Sequence, residues 1–224
     1  MLSVYVTGTD TGIGKTLASV ALIHALRARA RNAVGMKPVA SGCRRVGNEW
    51  QNDDALVLRE VSHPVPPYAL VNPIALSEPA APEIAAAMQG VRVALEPICD
   101  AFARLAMFSP TRVVEGVGGW LAPLAATLDQ SALVHALDLP VVMVVGVRLG
   151  CISHARLTER AILADGCRLA GWIGNRIDPD FGSADASIDL LRRHLSAPCL
   201  GVLEHVTSGL PTSRLDLGPL IGSV

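Results

Sequence analysis

An α/β protein, a three-layer α/β/α sandwich on a mostly parallel sheet, is what this 224-residue chain predicts. Three observations carry the expectation. Apolar runs rich in Val, Ile and Leu alternate with helical patterns along the chain. The runs are near-continuous, as strands covered on both faces require. The first run opens into a glycine-rich loop and then a helical pattern, the order of a phosphate-binding unit.

The runs 2–7, 33–38, 111–116, 140–147, 170–175 and 199–203 read as buried strands. Helical patterns fill the gaps at 15–31, 53–60, 80–89, 92–107, 153–165 and 183–195. No repeat appears, and no linker is long enough to divide the chain, so 1–224 reads as one domain. The proline-rich piece "SHPVPPYALVNP" (62–73) reads as an ordered loop, and the tail after Pro211 carries no readable pattern.

Composition narrows the function. Half the residues are hydrophobic and 17% are charged, with a net charge of −1, so nothing points to nucleic acid. "LPVVMVVGV" (139–147) is about half a membrane span, and the N-terminus lacks the order of a signal peptide. Cys43, Cys99, Cys151, Cys167 and Cys199 form no C-x-x-C pair, and the six histidines have no ligand spacing. The expectation is a cytoplasmic protein in a reducing compartment, without membrane or nucleic-acid partners.

The loop is "VTGTDTGIGKT" (6–16). Gly14, Lys15 and Thr16 form its G-K-T core. Gly8, Gly12 and Gly14 let backbone N–H groups face anionic oxygens, and the helix beyond adds its positive end. In such loops the lysine reaches the β- and γ-phosphates and the hydroxyl ligates Mg²⁺. Thr9 stands where the usual first glycine would, with Gly8 one residue upstream, so the strict spacing fails by one position. With that loop the expected class is P-loop NTPase-like. Function then collects at the carboxyl ends of the strands: Lys37 and Ser41 in "MKPVASG", Glu115 in "VVEGVGGW", the helix start in "VVGVRLGCISH", Asn175, and the segment near Glu204.

Together these loops resemble dethiobiotin synthetase, an ATP-dependent family of biotin synthesis. The resemblance rests on "VTGTDTGIGKT", "KPVASG", "DDAL" (53–56), "VNP" (71–73), "EPAAP" (78–82), "VEGVGGW", "LPVVMVVGVRLGCISHARLT" and "LAGWIGNRI", in the family's order over most of 4–177. It implies ATP, CO2 or bicarbonate, and 7,8-diaminononanoate as substrates, with Mg²⁺ as cofactor. Lys37 and Lys15 match catalytic positions. Thr16, Asp54 and Glu115 match the metal positions; the residues alone do not choose between Asp53 and Asp54. Nucleotide contacts are implied at Gly12, Ile13, Gly14, Lys15, Thr16, Leu17, Asp54, Glu115, Gly116, Val117, Gly118, Asn175, Arg176, Glu204, His205 and Val206. Glu204 departs from the family, where a proline is expected. Thr11, Lys37 and Ser41 would hold the carbamate end of the substrate. Gly150, Cys151, Ile152 and Ser153, with Ser153 as a helix cap, would hold its carboxylate across a homodimer.

Two other readings share the fold class. Septum-positioning or plasmid-partition ATPase switches carry an extra lysine before the loop glycines, where this chain has Asp10. "KPVASG" argues against a different ATP-dependent ligase of the same branch.

Overall fold

The computed structural model describes residues 2–29, 31–206 and 214–221. In chain order the first half runs β1 (Val4–Gly8), α1 (Lys15–Arg27), β2 (Val34–Met36), β3 (Val39–Ala40), β4 (Arg44–Val46), β5 (Glu49–Gln51), α2 (Asp53–Val61), α3 (Tyr68–Val71), β6 (Ile74–Ala75), α4 (Pro82–Gln89) and α5 (Leu95–Leu105). The second half runs β7 (Arg112–Glu115), α6 (Gln130–Leu137), β8 (Val141–Val147), α7 (Cys151–Ala164), β9 (Leu169–Arg176), α8 (Ala184–His194), β10 (Cys199–Leu203) and α9 (Gly218–Ile221).

Six strands form the central sheet in the order β10-β9-β8-β1-β7-β2, and every pairing in it is parallel. The pleat divides each apolar run between two cores. On one face Tyr5, Met143, Val145 and Val147 pack with residues of α4, α5, α6, α7 and α8. On the other Val4, Val6, Val142 and Val144 pack with α1, α2 and α9. The three layers are thus a consequence of strands with no polar face.

All six expected strands are present, with ends within two residues of the reading. The helices differ more. α1 stops at Arg27 rather than 31. α7 starts at Cys151 on a left-handed Gly150 (φ 90°), so Ser153 lies inside its first turn and does not cap it. The stretch 62–73 contains the short helix α3 rather than loop alone. α6 had no expected counterpart, nor did the two small ribbons β3–β6 and β4–β5. Part of the unreadable tail, 212–213 and 222–224, lies outside the described residues, as do 207–211 before it. The rest places Leu215, Leu217 and Leu220 in the α1-side core.

One close approach ties the fold to the strand-end loops. Gly35 of β2 lies against α2: a Cβ there would sit 2.8 Å from Leu58 Cβ and 3.2 Å from Leu58 O. Gly35→Ala is expected to push α2 outward and cost about 1–3 kcal/mol. A urea midpoint lowered at unchanged m would show it; an unchanged midpoint would mean α2 yields freely.

Candidate active site

The phosphate loop joins β1 to α1. Gly12 (φ 71°) and Gly14 (φ 85°) take left-handed backbone that a side chain would strain. Thr9 does not, so the position that breaks the usual spacing needs no glycine. Thr9 N donates to Val144 O (3.0 Å), and Asn175 Nδ2 donates to Ile13 O (2.8 Å), fixing the loop to β8 and β9. Lys15 curls back so that its Nζ donates to Asp10 O (2.9 Å).

Opposite the loop sits a buried charge cluster. Glu115 ends β7 and is fully buried. Its Oε1 accepts from Lys37 Nζ (2.6 Å) and Thr16 Oγ1 (2.9 Å). Lys37 Nζ also reaches Asp54 Oδ2 (3.3 Å) and Gly116 O (3.2 Å). The Lys37 backbone is itself held: its N–H donates to Val71 O and its carbonyl accepts from buried Asn72. Asp54 therefore enters the cluster, while Asp53 pairs with Arg44 at the surface. Neither aspartate caps α2; Asn52 does, accepting from Ala55 N.

One cavity of about 410 Å³ gathers Thr11, Gly12, Gly14, Lys15, Thr16, Lys37, Ser41, Asp54, Glu115, Val117 and Gly118. It also takes in Asn52, which the sequence reading passed over although an Asn before "DDAL" is a good capping signal. Ile13 is buried beneath the loop. The positions expected near the nucleoside lie apart: Arg176 is shared between Asp185 and Glu204, and His205 Nδ1 meets Arg176 O. Gly150, Ile152 and Ser153 line a separate cavity of about 480 Å³ with Arg156, Leu157 and Arg160.

Known proteins match this layout. A family described as AAA domain matches residues 3–209. A Xanthomonas oryzae pv. oryzae (strain PXO99A) protein named ATP-dependent dethiobiotin synthetase is 61% identical over 197 residues, 88% of each chain. A Xylella fastidiosa (strain 9a5c) protein of the same name is 54% identical over 211 residues, 94% of this chain and 93% of that one. The chain belongs to the dethiobiotin synthetase family. It is thereby an ATP-dependent ligase. Solved structures share only its fold. The MinD cell division protein of Aquifex aeolicus has a TM-score of 0.56 at 13% identity, covering 92% of this chain and 84% of that one. A ParA family ATPase from Chlorobium tepidum TLS has 0.55 at 13%, covering 92% and 85%.

The donor set of this synthetase-family site suits Mg²⁺. Glu115 Oε2 is buried with no hydrogen-bond partner, beside the Thr16 hydroxyl and the Asp54 carboxylate. Mg²⁺ favours oxygen donors and takes few from protein, with phosphate oxygens and water filling the rest. Among the described residues no helix is long and apolar enough to cross a membrane, and all five cysteines are free.

The two lysines differ electrically. Burial works against the Lys37 charge, but Glu115 and Asp54 outweigh it and hold its pKa above the usual lysine value. Lys15 is pushed down to about 8, by burial first and then by the Lys37 charge, against weaker support from Glu115, Asp54 and Asp10. A triphosphate beside Lys15 would raise its pKa above that value. Nucleotide affinity should therefore be flat below pH 8 and weaken as pH rises through it, with proton uptake on binding. Titration calorimetry in buffers of different ionisation enthalpy measures this. Affinity independent of pH from about 7 to 9.5 would contradict the Lys15 assignment.

Proposed function

We propose that this chain makes dethiobiotin from 7,8-diaminononanoate, CO2 and ATP. One amine takes up CO2 to form a carbamate and release a proton. A carbamate oxygen attacks the γ-phosphorus of ATP, giving a carbamic–phosphoric anhydride and ADP. The second amine attacks the anhydride carbonyl, phosphate leaves, and the cyclic urea closes.

Each species at the reacting end is anionic, so the site needs fixed cations and N–H donors more than a strong base. The observation that carries the reading is Lys37, held by Glu115 and Asp54 across one cavity from the phosphate loop. Its charge is fixed in place by those carboxylates and would meet the carbamate. Lys15 would follow the transferred phosphoryl group. Thr11 and Ser41, both lining the cavity, would hydrogen-bond the carbamate end. Thr16, Asp54 and Glu115 would hold Mg²⁺, which when bound supplies charge withdrawal from the β- and γ-phosphates. The backbone of Gly12 to Leu17 and of Gly116 to Gly118 would carry the phosphates, with Asn175, Arg176 and 204–206 beside the nucleoside.

The substrate carboxylate lies several methylenes from the amines. Gly150 to Ser153 open α7, and first-turn N–H groups of a helix bind anions. Gly150, Ile152 and Ser153 line a different cavity from the phosphate loop in one chain, and Cys151 is buried. A homodimer with shared sites answers that separation.

The test is a mass assay for dethiobiotin with diaminononanoate, bicarbonate, Mg²⁺ and ATP, expected positive only with all four. No product would reject the reaction. Lys37→Gln should cut turnover by at least ~10²-fold with nucleotide binding kept; lost ATP binding at an unchanged saturated rate would reject the carbamate role. Asp54→Asn should raise the Mg²⁺ requirement and Asp53→Asn should not. Full activity of a monomer at high dilution would reject the shared site.

A further inference from the structure

We infer that Gln130 is a positioning residue for the reaction: its buried amide shapes the loop from Gly116 to Trp120 that seats Lys37. The inference rests on the reading of Lys37 given above.

Gln130 begins α6 and is fully buried. A buried amide is costly unless each of its groups is paired. Its Oε1 accepts from the Tyr5 hydroxyl at 2.7 Å. Its Nε2 faces three backbone carbonyls, those of Val117 (3.0 Å), Gly119 and Trp120 (3.2 Å). A reversed amide would set oxygen against three oxygens, so the orientation is fixed by its surroundings. One side chain thus collects three of the five carbonyls of the loop.

The loop needs that help. Its sequence is Gly-Val-Gly-Gly-Trp, and glycine backbone has little preference of its own. Gathering the carbonyls inward has a second effect. In a trans peptide the N–H points opposite to the C=O. The Val117 carbonyl on Gln130 therefore turns the Gly118 N–H to the other side of the chain, and Gly118 lines the cavity. At the start of the loop the Gly116 carbonyl accepts from Lys37 Nζ.

Both ends of the device are anchored. Tyr5 lies in β1, fully buried, and burial raises its pKa so that the hydroxyl stays a donor. Its ring meets Trp120 edge-on at 6.4 Å. Trp120 Nε1 donates to Asp165 Oδ2 at the end of α7 (2.7 Å). A Cβ on Gly116 would collide with Gln130 Oε1 and the Tyr5 hydroxyl, so the close packing itself requires glycine there. The chain of contact runs from β1 through Tyr5 and Gln130 to the loop and on to Lys37.

The experiment compares the full-length protein with Gln130→Met, Tyr5→Phe and the double variant. Readouts are kcat, nucleotide Kd, thermal midpoint, and amide hydrogen exchange without substrate. Ala122 is the reporter amide, since its N–H donates to Gly119 O. Gln130→Met is expected to lower kcat by about 10–100-fold, weaken nucleotide binding by a smaller factor, and speed Ala122 exchange. Tyr5→Phe should do the same to a smaller degree, and the double variant should match Gln130→Met alone, because Tyr5 acts through Gln130. A purely structural glutamine would lower the midpoint yet leave kcat per folded molecule as it was, and that result overturns the inference. Additive losses overturn the Tyr5–Gln130 coupling. Should Gln130→Met fail to fold, Tyr5→Phe decides: unchanged kcat and unchanged Ala122 exchange reject the device. A wild-type protein that makes no dethiobiotin would reject the reaction, while Ala122 exchange would still judge the loop.

Discussion

The site depends on one buried carboxylate. Glu115 closes β7 with no exposure to water, and a charge in that position stands only if it is matched and hydrogen-bonded. Each neighbouring element supplies part of the match. α1 contributes the Thr16 hydroxyl, the segment after β2 contributes Lys37, and α2 adds Asp54 as a second acceptor for that lysine. Removing Lys37 would leave Glu115 buried with no cation in contact, so that pair is the part of the cluster that cannot be divided. This also explains why Lys37 keeps its charge when more deeply buried than Lys15, whose own partner in the loop is a neutral carbonyl.

Much of this was legible because it follows from local chemistry. Strands buried on both faces write themselves as unbroken apolar runs, and all six central strands appear where those runs lie. Positive-φ turns demand glycine, which exposed the phosphate loop. What escaped was set by distant contact. α6 is only eight residues long, and nothing local marks Gln130 as an interior residue. Its burial follows from Tyr5, 125 positions away. The choice of Asp54 over Asp53 could not be read from the residues, since adjacent carboxylates differ only in which way the helix turns them. The Ser153 cap failed because the left-handed Gly150 starts α7 before a capping side chain is needed.

The structural likeness to MinD and ParA-type ATPases extends to the fold alone. Those switches were set apart in the sequence by a lysine before the loop glycines. Here Asp10 occupies that place, and its carboxylate pairs with Arg148 at 2.7 Å. The residue is therefore already engaged with the end of β8. Its backbone carbonyl meanwhile holds Lys15. A carboxylate so paired cannot stand in for that lysine, which separates this loop from a switch by residue chemistry as well as by family.

The two ends of the nucleotide region are built to different standards. At the phosphate end Lys15, Lys37 and Glu115 are buried, and their interactions are little screened. At the end proposed for the nucleoside, Arg176 pairs with the exposed carboxylates of Asp185 and Glu204, and exposed ion pairs contribute on the order of 0–1 kcal/mol. The Asn175 amide nitrogen is engaged by Ile13 O, so it braces the phosphate loop from behind. Where a proline was expected, Glu204 supplies an ion pair with the residue that follows Asn175, in place of a fixed φ. On the proposed assignment, binding strength would reside with the phosphates, and discrimination among bases would fall to groups that solvent already weakens.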